Sequence, residues 1–183
     1  MMEKKVNSKI VNMVMVGVVT ALIIVFSQIS IPMPSGVPIT LQTFAVALCG
    51  YILHLKLAPV SVICYITLGA VGLPVFSNFR GGVGMLVGMT GGFIWGFIIF
   101  AALCGFGMRF KNKILPILFG VAGLIICHLL GVVQFSAVTT TPFLESALLV
   151  SIPYMLKDVI SVAVAYPIAL LLISRLTKAK LIS

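Results

Sequence analysis

Ile152-Pro153-Tyr154-Met155-Leu156-Lys157-Asp158 sets a lysine beside an aspartate inside an apolar run of about thirty residues. Asp158 is one of only three acidic residues in the 183-residue chain. Each such charge costs roughly 2.5–3.5 kcal/mol at the centre of a membrane helix, so a pair kept there marks a functional site before anything else. The bland alternative has the lysine reaching for the membrane surface while the aspartate closes a helix–helix contact.

The rest of the chain agrees that the surroundings are lipid. Hydrophobic residues make up 61% and charged ones 8%, against about 25% charged in soluble domains, and mean hydropathy is +1.28. At about 20 residues per crossing, this length holds six helices with short loops, hence one all-α integral membrane domain over residues 1–183. The helices are expected at about residues 9–30, 38–54, 57–72, 83–107, 114–134 and 147–175.

Net charge is +9, yet the cations form short clusters between apolar runs rather than a basic face interleaved with aromatics, so no nucleic-acid partner is expected. Six crossings put both termini on one side, together with ten of the twelve Lys and Arg: 4, 5, 9, 56, 109, 111, 113, 175, 178 and 180. By the positive-inside rule that side is cytoplasmic. Arg80 falls in an external loop and Lys157 within the last helix. The first apolar stretch is too long for a signal-peptide core and reads as a retained helix.

Along the chain, Gly17 and Ala21 form a small-xxx-small pair on the first helix, suited to close approach of another helix, inside this protein or outside it. Pro32, Pro34 and Pro38 make the following loop a stiff cap, because proline lacks an amide hydrogen and disfavours helix before it. Gly84, Gly88, Gly92 and Gly96 form a ridge spaced by four, for which packing is the default use. Cys49, Cys64, Cys104 and Cys127 each stand alone in an apolar segment; their spacing suits neither metal nor redox chemistry, so no metal and no cofactor are expected.

With this orientation, Lys157 and Asp158 lie ten or eleven residues inside the sixth helix, roughly 15 Å deep. Phe93 and Trp95 come to a similar depth, and Gln28, Gln42, His128 and Gln134 near the external ends of their helices. Polar groups thus gather in the outer half while the inner halves stay apolar, the pattern of an externally open pocket for a small, partly apolar solute. Gln42 and Asn78 are the best amide candidates, since each offers donor and acceptor in one plane. Arg80 either steers an anion inward or is an ordinary loop charge. His128 is assigned to a helix contact and Glu145 to solvent. No phosphate loop, H-E-x-x-H or G-x-S-x-G occurs, and one carboxylate at membrane depth is a thin basis for catalysis, so the chain is read as a non-enzyme. Energy for uphill movement is assigned to a partner; a self-sufficient carrier of a small solute, with Asp158 cycling protons, is the alternative.

Pro38-Ile39-Thr40-Leu41-Gln42, Gly72-Leu73-Pro74-Val75-Phe76, Gly81-Gly82-Val83-Gly84, Gly88-Met89-Thr90-Gly91-Gly92-Phe93 and Pro153-Tyr154-Met155-Leu156-Lys157-Asp158 together resemble the BioY family, the biotin-binding S components of energy-coupling-factor transporters. The resemblance covers nearly the whole chain. It implies a six-helix, multi-pass subunit of the cell membrane, bacterial in type, that binds biotin from outside. It also implies association with a membrane coupling protein and two cytoplasmic ATPases, Gly17 and Ala21 meeting the coupling protein. Asp158, with Asn78 or Gln42, would then meet the ureido ring; Phe93 and Trp95 would line the apolar part; Lys157 or Arg80 would meet the carboxylate; and Tyr154 belongs to the same motif. Lysine precedes the acid here, with Ser161 at the later position where the family often has lysine, and Met89 and Phe93 stand where it often has proline and tyrosine.

Overall fold

A single residue reverses the chain in its first third. In the computed structural model, which describes residues 8–179, helix α2 is assigned over Gln42–Ala70, but His54 sits at φ 57°, ψ −176° inside it. Cys49 Sγ nevertheless lies 3.6 Å from the Ala58 carbonyl and Gln42 Nε2 lies 2.8 Å from Tyr65 Oη. In a straight helix those pairs would stand about 14 and 35 Å apart. Helix α2 is therefore a hairpin of two antiparallel arms, 42–53 and 55–70. Exposed His54 and Lys56 mark the reversal, as their interruption of the apolar run suggests.

The remaining elements are α1 (Ser8–Gln28), α3 (Val83–Val87), α4 (Gly91–Gly107), α5 (Leu115–Thr139), α6 (Phe143–Val150) and α7 (Ile152–Lys178). Among the described residues, α1, α5 and α7 are each long and apolar enough to cross a membrane, as is α2 when its two arms are counted together. Helix α4 is apolar but 17 residues long. The chain is a multi-pass membrane protein.

Several boundaries differ from those read in the sequence, each for a local reason. The expected helix 83–107 is broken into α3 and α4, because Gly88 adopts an extended conformation between them. Gln134 on α5 donates to the Leu86 and Gly88 carbonyls at 2.9 and 2.8 Å, satisfying backbone that a continuous helix would have paired itself. The expected helix 147–175 is α7 alone, preceded by separate α6, because the chain bends at Ser151 just before Pro153. Asp158 thus lies in the second turn of α7, about 9 Å from its start, not some 15 Å along one long helix. Helix α5 runs on to Thr139 rather than stopping near residue 134. The proline loop is the tip of a small antiparallel ribbon, β1 (Ser30–Ile31) with β2 (Ile39–Thr40), in an otherwise helical chain.

Glycines let α4 sit between its neighbours. A Cβ on Gly92 would come within 2.1 Å of the Leu130 carbonyl oxygen, and one on Gly96 within 2.7 Å of Cys127 Cα. These two members of the ridge face the α5 backbone, which is the packing use expected of them. On another side, Gly105 packs on the His54–Leu55 backbone. That contact puts the α2 reversal at the same end as the α4–α5 turn, with its Arg109, Lys111 and Lys113. Buried Tyr51, Tyr65, Phe76, Phe100 and Leu124 fill the core between the arms of α2, α4 and α5.

Gln28 fixes the opposite end. At the close of α1 it donates to the Val75 and Phe76 carbonyls (3.0 and 3.2 Å) and accepts from the Phe79 amide (2.9 Å). It thereby braces a turn in which Asn78 and Phe79 both have positive φ. Among the described residues, Lys9, Lys56, Arg109, Lys111, Lys113, Arg175 and Lys178 belong to one end of the bundle. The ribbon and the 71–82 turn belong to the other. Lys4, Lys5 and Lys180, counted in the charge pattern, lie outside the described residues.

Candidate functional site

The end carrying the ribbon holds a small, partly enclosed cavity of about 70 Å³. Four regions build it. The ribbon and start of α2 supply Val37, Pro38, Thr40, Gln42 and Thr43; the second arm of α2 and the following turn supply Tyr65, Phe76 and Ser77. Helix α3 and the start of α4 contribute Met85, Thr90, Phe93, Ile94 and Phe97. Helices α5 to α7 complete the wall with Leu124, Cys127, His128, Val150, Tyr154, Lys157 and Asp158. The lining is mostly apolar and aromatic, with its only carboxylate near one side.

That carboxylate is 6% exposed and held from two directions. Oδ2 lies 3.1 Å from Nε2 of His128, whose Nδ1 lies 3.0 Å from Ser151 Oγ. Oδ1 is ion-paired with the Lys157 ammonium and takes no hydrogen bond among the described residues. Lys157 also donates to the Thr40 carbonyl at 2.7 Å, tying α7 to the ribbon. Adjacent positions on a helix point about 100° apart; the flexible lysine stem bends back to meet its neighbour. A buried charge without a partner would be strongly destabilising; this one has the imidazole, the ammonium and the neighbouring Thr43 hydroxyl.

Tyr154, one turn before Asp158, lies over the cavity. Its hydroxyl donates to the Val37 carbonyl at 2.7 Å and lies 3.2 Å from Ser35 Oγ. Gly36, at φ +78°, brings the loop so close to Met89 that a Cβ there would lie 2.8 Å from the sulfur. The proline loop thus lies across the site, fastened to α7 by Tyr154, while Lys157 ties the β2 strand at its base to the same helix.

Of the residues singled out in the sequence, Asp158, Lys157, Gln42, Phe93 and Tyr154 line this cavity together. Gln42 spends its amide nitrogen on Tyr65, and Phe93 stands edge-on to the His128 ring at 5.6 Å between centroids. Asn78, Arg80 and Trp95 are not in the lining. Asn78 is exposed and accepts from Ser30 Oγ at 2.8 Å; Arg80 is exposed on the turn; Trp95 is 44% exposed, its indole N–H directed to the Leu86 carbonyl. Trp95 follows Phe93 by two positions, about 200° round the helix, so depth alone could not place both in one wall. His128 is a helix contact as expected, but its contact is Asp158 itself. Thr40, Thr43 and Tyr65 carried no signal in the sequence beyond their nearness to Gln42 or to an apolar run.

Ser151, His128 and Asp158 are the residue types of a hydrolase triad. Ser151, however, is 7% exposed and does not line the cavity, so its hydroxyl has no approach to a substrate there. Its role is toward the imidazole.

Gly17 and Ala21 lie elsewhere, in an apolar groove between α1 and the second arm of α2 that also includes Val16, Thr20, Ile24 and Leu57. Both are exposed, and a Cβ on Gly17 would meet nothing within 4 Å. Close packing inside this chain therefore leaves that glycine unexplained.

Comparison with known proteins converges on one group. A family model described as the BioY family matches residues 2–178. The chain is 42% identical over 161 residues to the biotin transporter BioY of Thermotoga maritima, covering 87% of this chain and 94% of the relative. It is 36% identical to the probable biotin transporter BioY of Pyrococcus horikoshii, covering 85% and 91%. Among solved structures, the S-component for biotin from an ECF-type ABC transporter superposes with a TM-score of 0.77 at 26% identity, covering 92% of this chain and 94% of that one. These relatives are transport proteins, not enzymes.

Proposed function

This chain belongs to the BioY family, and on that premise we propose that it is the membrane subunit that captures biotin from the outside, its uptake energised by partner ATPases through a membrane coupling protein. The observation that carries this reading is the placement of Asp158. Among the described residues it is the one acid at membrane depth, and it lines the cavity at the end opposite the cation clusters, with Oδ1 held only by the Lys157 ion pair.

Biotin matches the chemistry of the walls. Its ureido ring offers N–H donors to Asp158, and its sulfur ring and methylene chain suit Phe93, Phe97 and Leu124. Its carboxylate needs a cation, and Lys157 is the one that lines the cavity.

The α2 hairpin supports six crossings: α1, the two arms of α2, α4, α5 and α7. An even number returns the chain to its starting side, and the cations at the end away from the cavity make that side cytoplasmic. The cavity then opens outward through the proline loop. The open groove holding Gly17 and Ala21 suits a helix of the coupling protein, because small residues let backbones approach closely.

A self-sufficient proton-coupled carrier is the second reading, and the buried His128–Asp158 pair is what favours it. One experiment separates the two. Vesicles containing the purified chain alone should bind biotin tightly without accumulating it, and should accumulate it on ATP hydrolysis once the coupling module is added. Accumulation by the chain alone under an imposed pH gradient would establish the second reading; no biotin binding at all would remove both.

A further inference from the structure

His128 has no direct task in that scheme, yet it is among the most constrained side chains at the site. It is 4% exposed, with a partner on each ring nitrogen and Phe93 edge-on to its ring. An ionised carboxylate only accepts hydrogen bonds, so Nε2 donates to Asp158 Oδ2. In a neutral ring Nδ1 then accepts from the Ser151 hydroxyl, and that bond fixes the tautomer. Beside the Thr43 hydroxyl, the two nitrogen partners of Asp158 differ in mobility. His128 is a short ring packed between helices, whereas Lys157 is a long stem, 30% exposed, that also reaches to the ribbon.

We propose that His128, oriented by Ser151, is a positioning residue for ligand recognition: it holds Asp158 through Oδ2 so that Oδ1 can exchange the Lys157 ammonium for a ligand N–H. The inference rests on the reading of the cavity as the biotin site. Without the imidazole, departure of the lysine would leave the buried carboxylate only the Thr43 hydroxyl beside it, and an undercompensated buried charge is heavily penalised. With it, the carboxylate keeps one charge-assisted hydrogen bond and a fixed rotamer throughout the exchange. The arrangement also limits what Oδ1 can accept. A cyclic urea carries its two N–H groups on diverging sides, so one carboxylate oxygen meets only one of them. The second must be met by another wall of the cavity.

The test uses the intact chain in detergent and biotin as the probe. His128→Phe keeps a ring of similar size without its donors, and His128→Gln restores an N–H at nearly the Nε2 position. Biotin dissociation constants are measured calorimetrically for both variants, for Asp158→Asn, and for the His128→Phe/Asp158→Asn double variant. The expected results are a tenfold or greater loss for His128→Phe and recovery of most of it in His128→Gln. In the Asp158→Asn background, His128→Phe should add less than twofold, since residues acting through one contact are not additive. In chain labelled with 15N-histidine, the bound-state His128 resonance should show a proton on Nε2. Affinity within twofold of wild type in His128→Phe would overturn the proposal while leaving the biotin reading intact. So would full additivity in the double variant, a loss that His128→Gln does not recover, or an Nδ1–H tautomer in the complex. Failure of the unsubstituted chain to bind biotin would overturn both together.

Discussion

Replacing Asp158 by asparagine preserves the shape of the side chain and removes its charge. In the ligand-free chain the two carboxylate oxygens face two donors, Lys157 Nζ and His128 Nε2. An amide has one oxygen, so either orientation turns an NH2 toward a donor and leaves one of them unpaired. Leaving a buried donor unsatisfied costs about 1–3 kcal/mol, and the ligand-free variant should melt a few degrees lower accordingly. For the complex, a ureido N–H that met an ionised acceptor now meets a neutral one at best. Hydrogen bonds to charged groups contribute about 1.5–3 kcal/mol, which corresponds to roughly a ten- to hundredfold rise in Kd. Titration calorimetry on the purified chain measures the second effect, and a thermal melt of the ligand-free protein measures the first. An unchanged Kd in a variant that folds would take Asp158 out of the binding site and refute the reasoning.

Three further outcomes follow from the packing around the site. Tyr154→Phe removes the bond to the Val37 carbonyl that fastens the proline loop; at about 1 kcal/mol for such a bond, biotin should leave roughly fivefold faster in a filter-binding chase. Gly92→Val places carbon against the Leu130 carbonyl, where a Cβ would stand 2.1 Å away. Size-exclusion chromatography and melting should therefore report an aggregated chain or one weakened by more than the usual 1–3 kcal/mol of overpacking. Gly17→Leu with Ala21→Leu fills an open groove without touching the cavity. The double variant should bind biotin with unchanged Kd, yet lose ATP-driven uptake in vesicles carrying the coupling module.

Most of the architecture was legible in the sequence because its signals are compositional. Apolar runs of bilayer length and cation clusters between them announce helices and turns without reference to neighbours. The Lys157–Asp158 pair was visible for the same reason, since charge stands out in an oily sequence. What the sequence did not reveal depends on backbone detail and on facing. His54 and Lys56 marked the break between two helices, but nothing in Leu53-His54-Leu55 says that the reversal is made by a single residue at positive φ. The α3–α4 break needs Gln134, which is 46 residues from Gly88, to satisfy its carbonyls. Trp95, Asn78 and Arg80 lie at the expected end of the molecule but not in the cavity wall, because depth along a helix does not fix the direction of a side chain. His128 shows the converse: a residue assigned to helix packing, whose packing partner is the carboxylate that lines the cavity.

The most direct measurement is a structure of the chain saturated with biotin. The account predicts the ligand inside the cavity beneath the proline loop, with a ureido N–H within hydrogen-bond distance of Asp158 Oδ1 and His128 still joined to Oδ2. Biotin seated with that carboxylate out of reach, or held in one of the lipid-facing grooves, would contradict it.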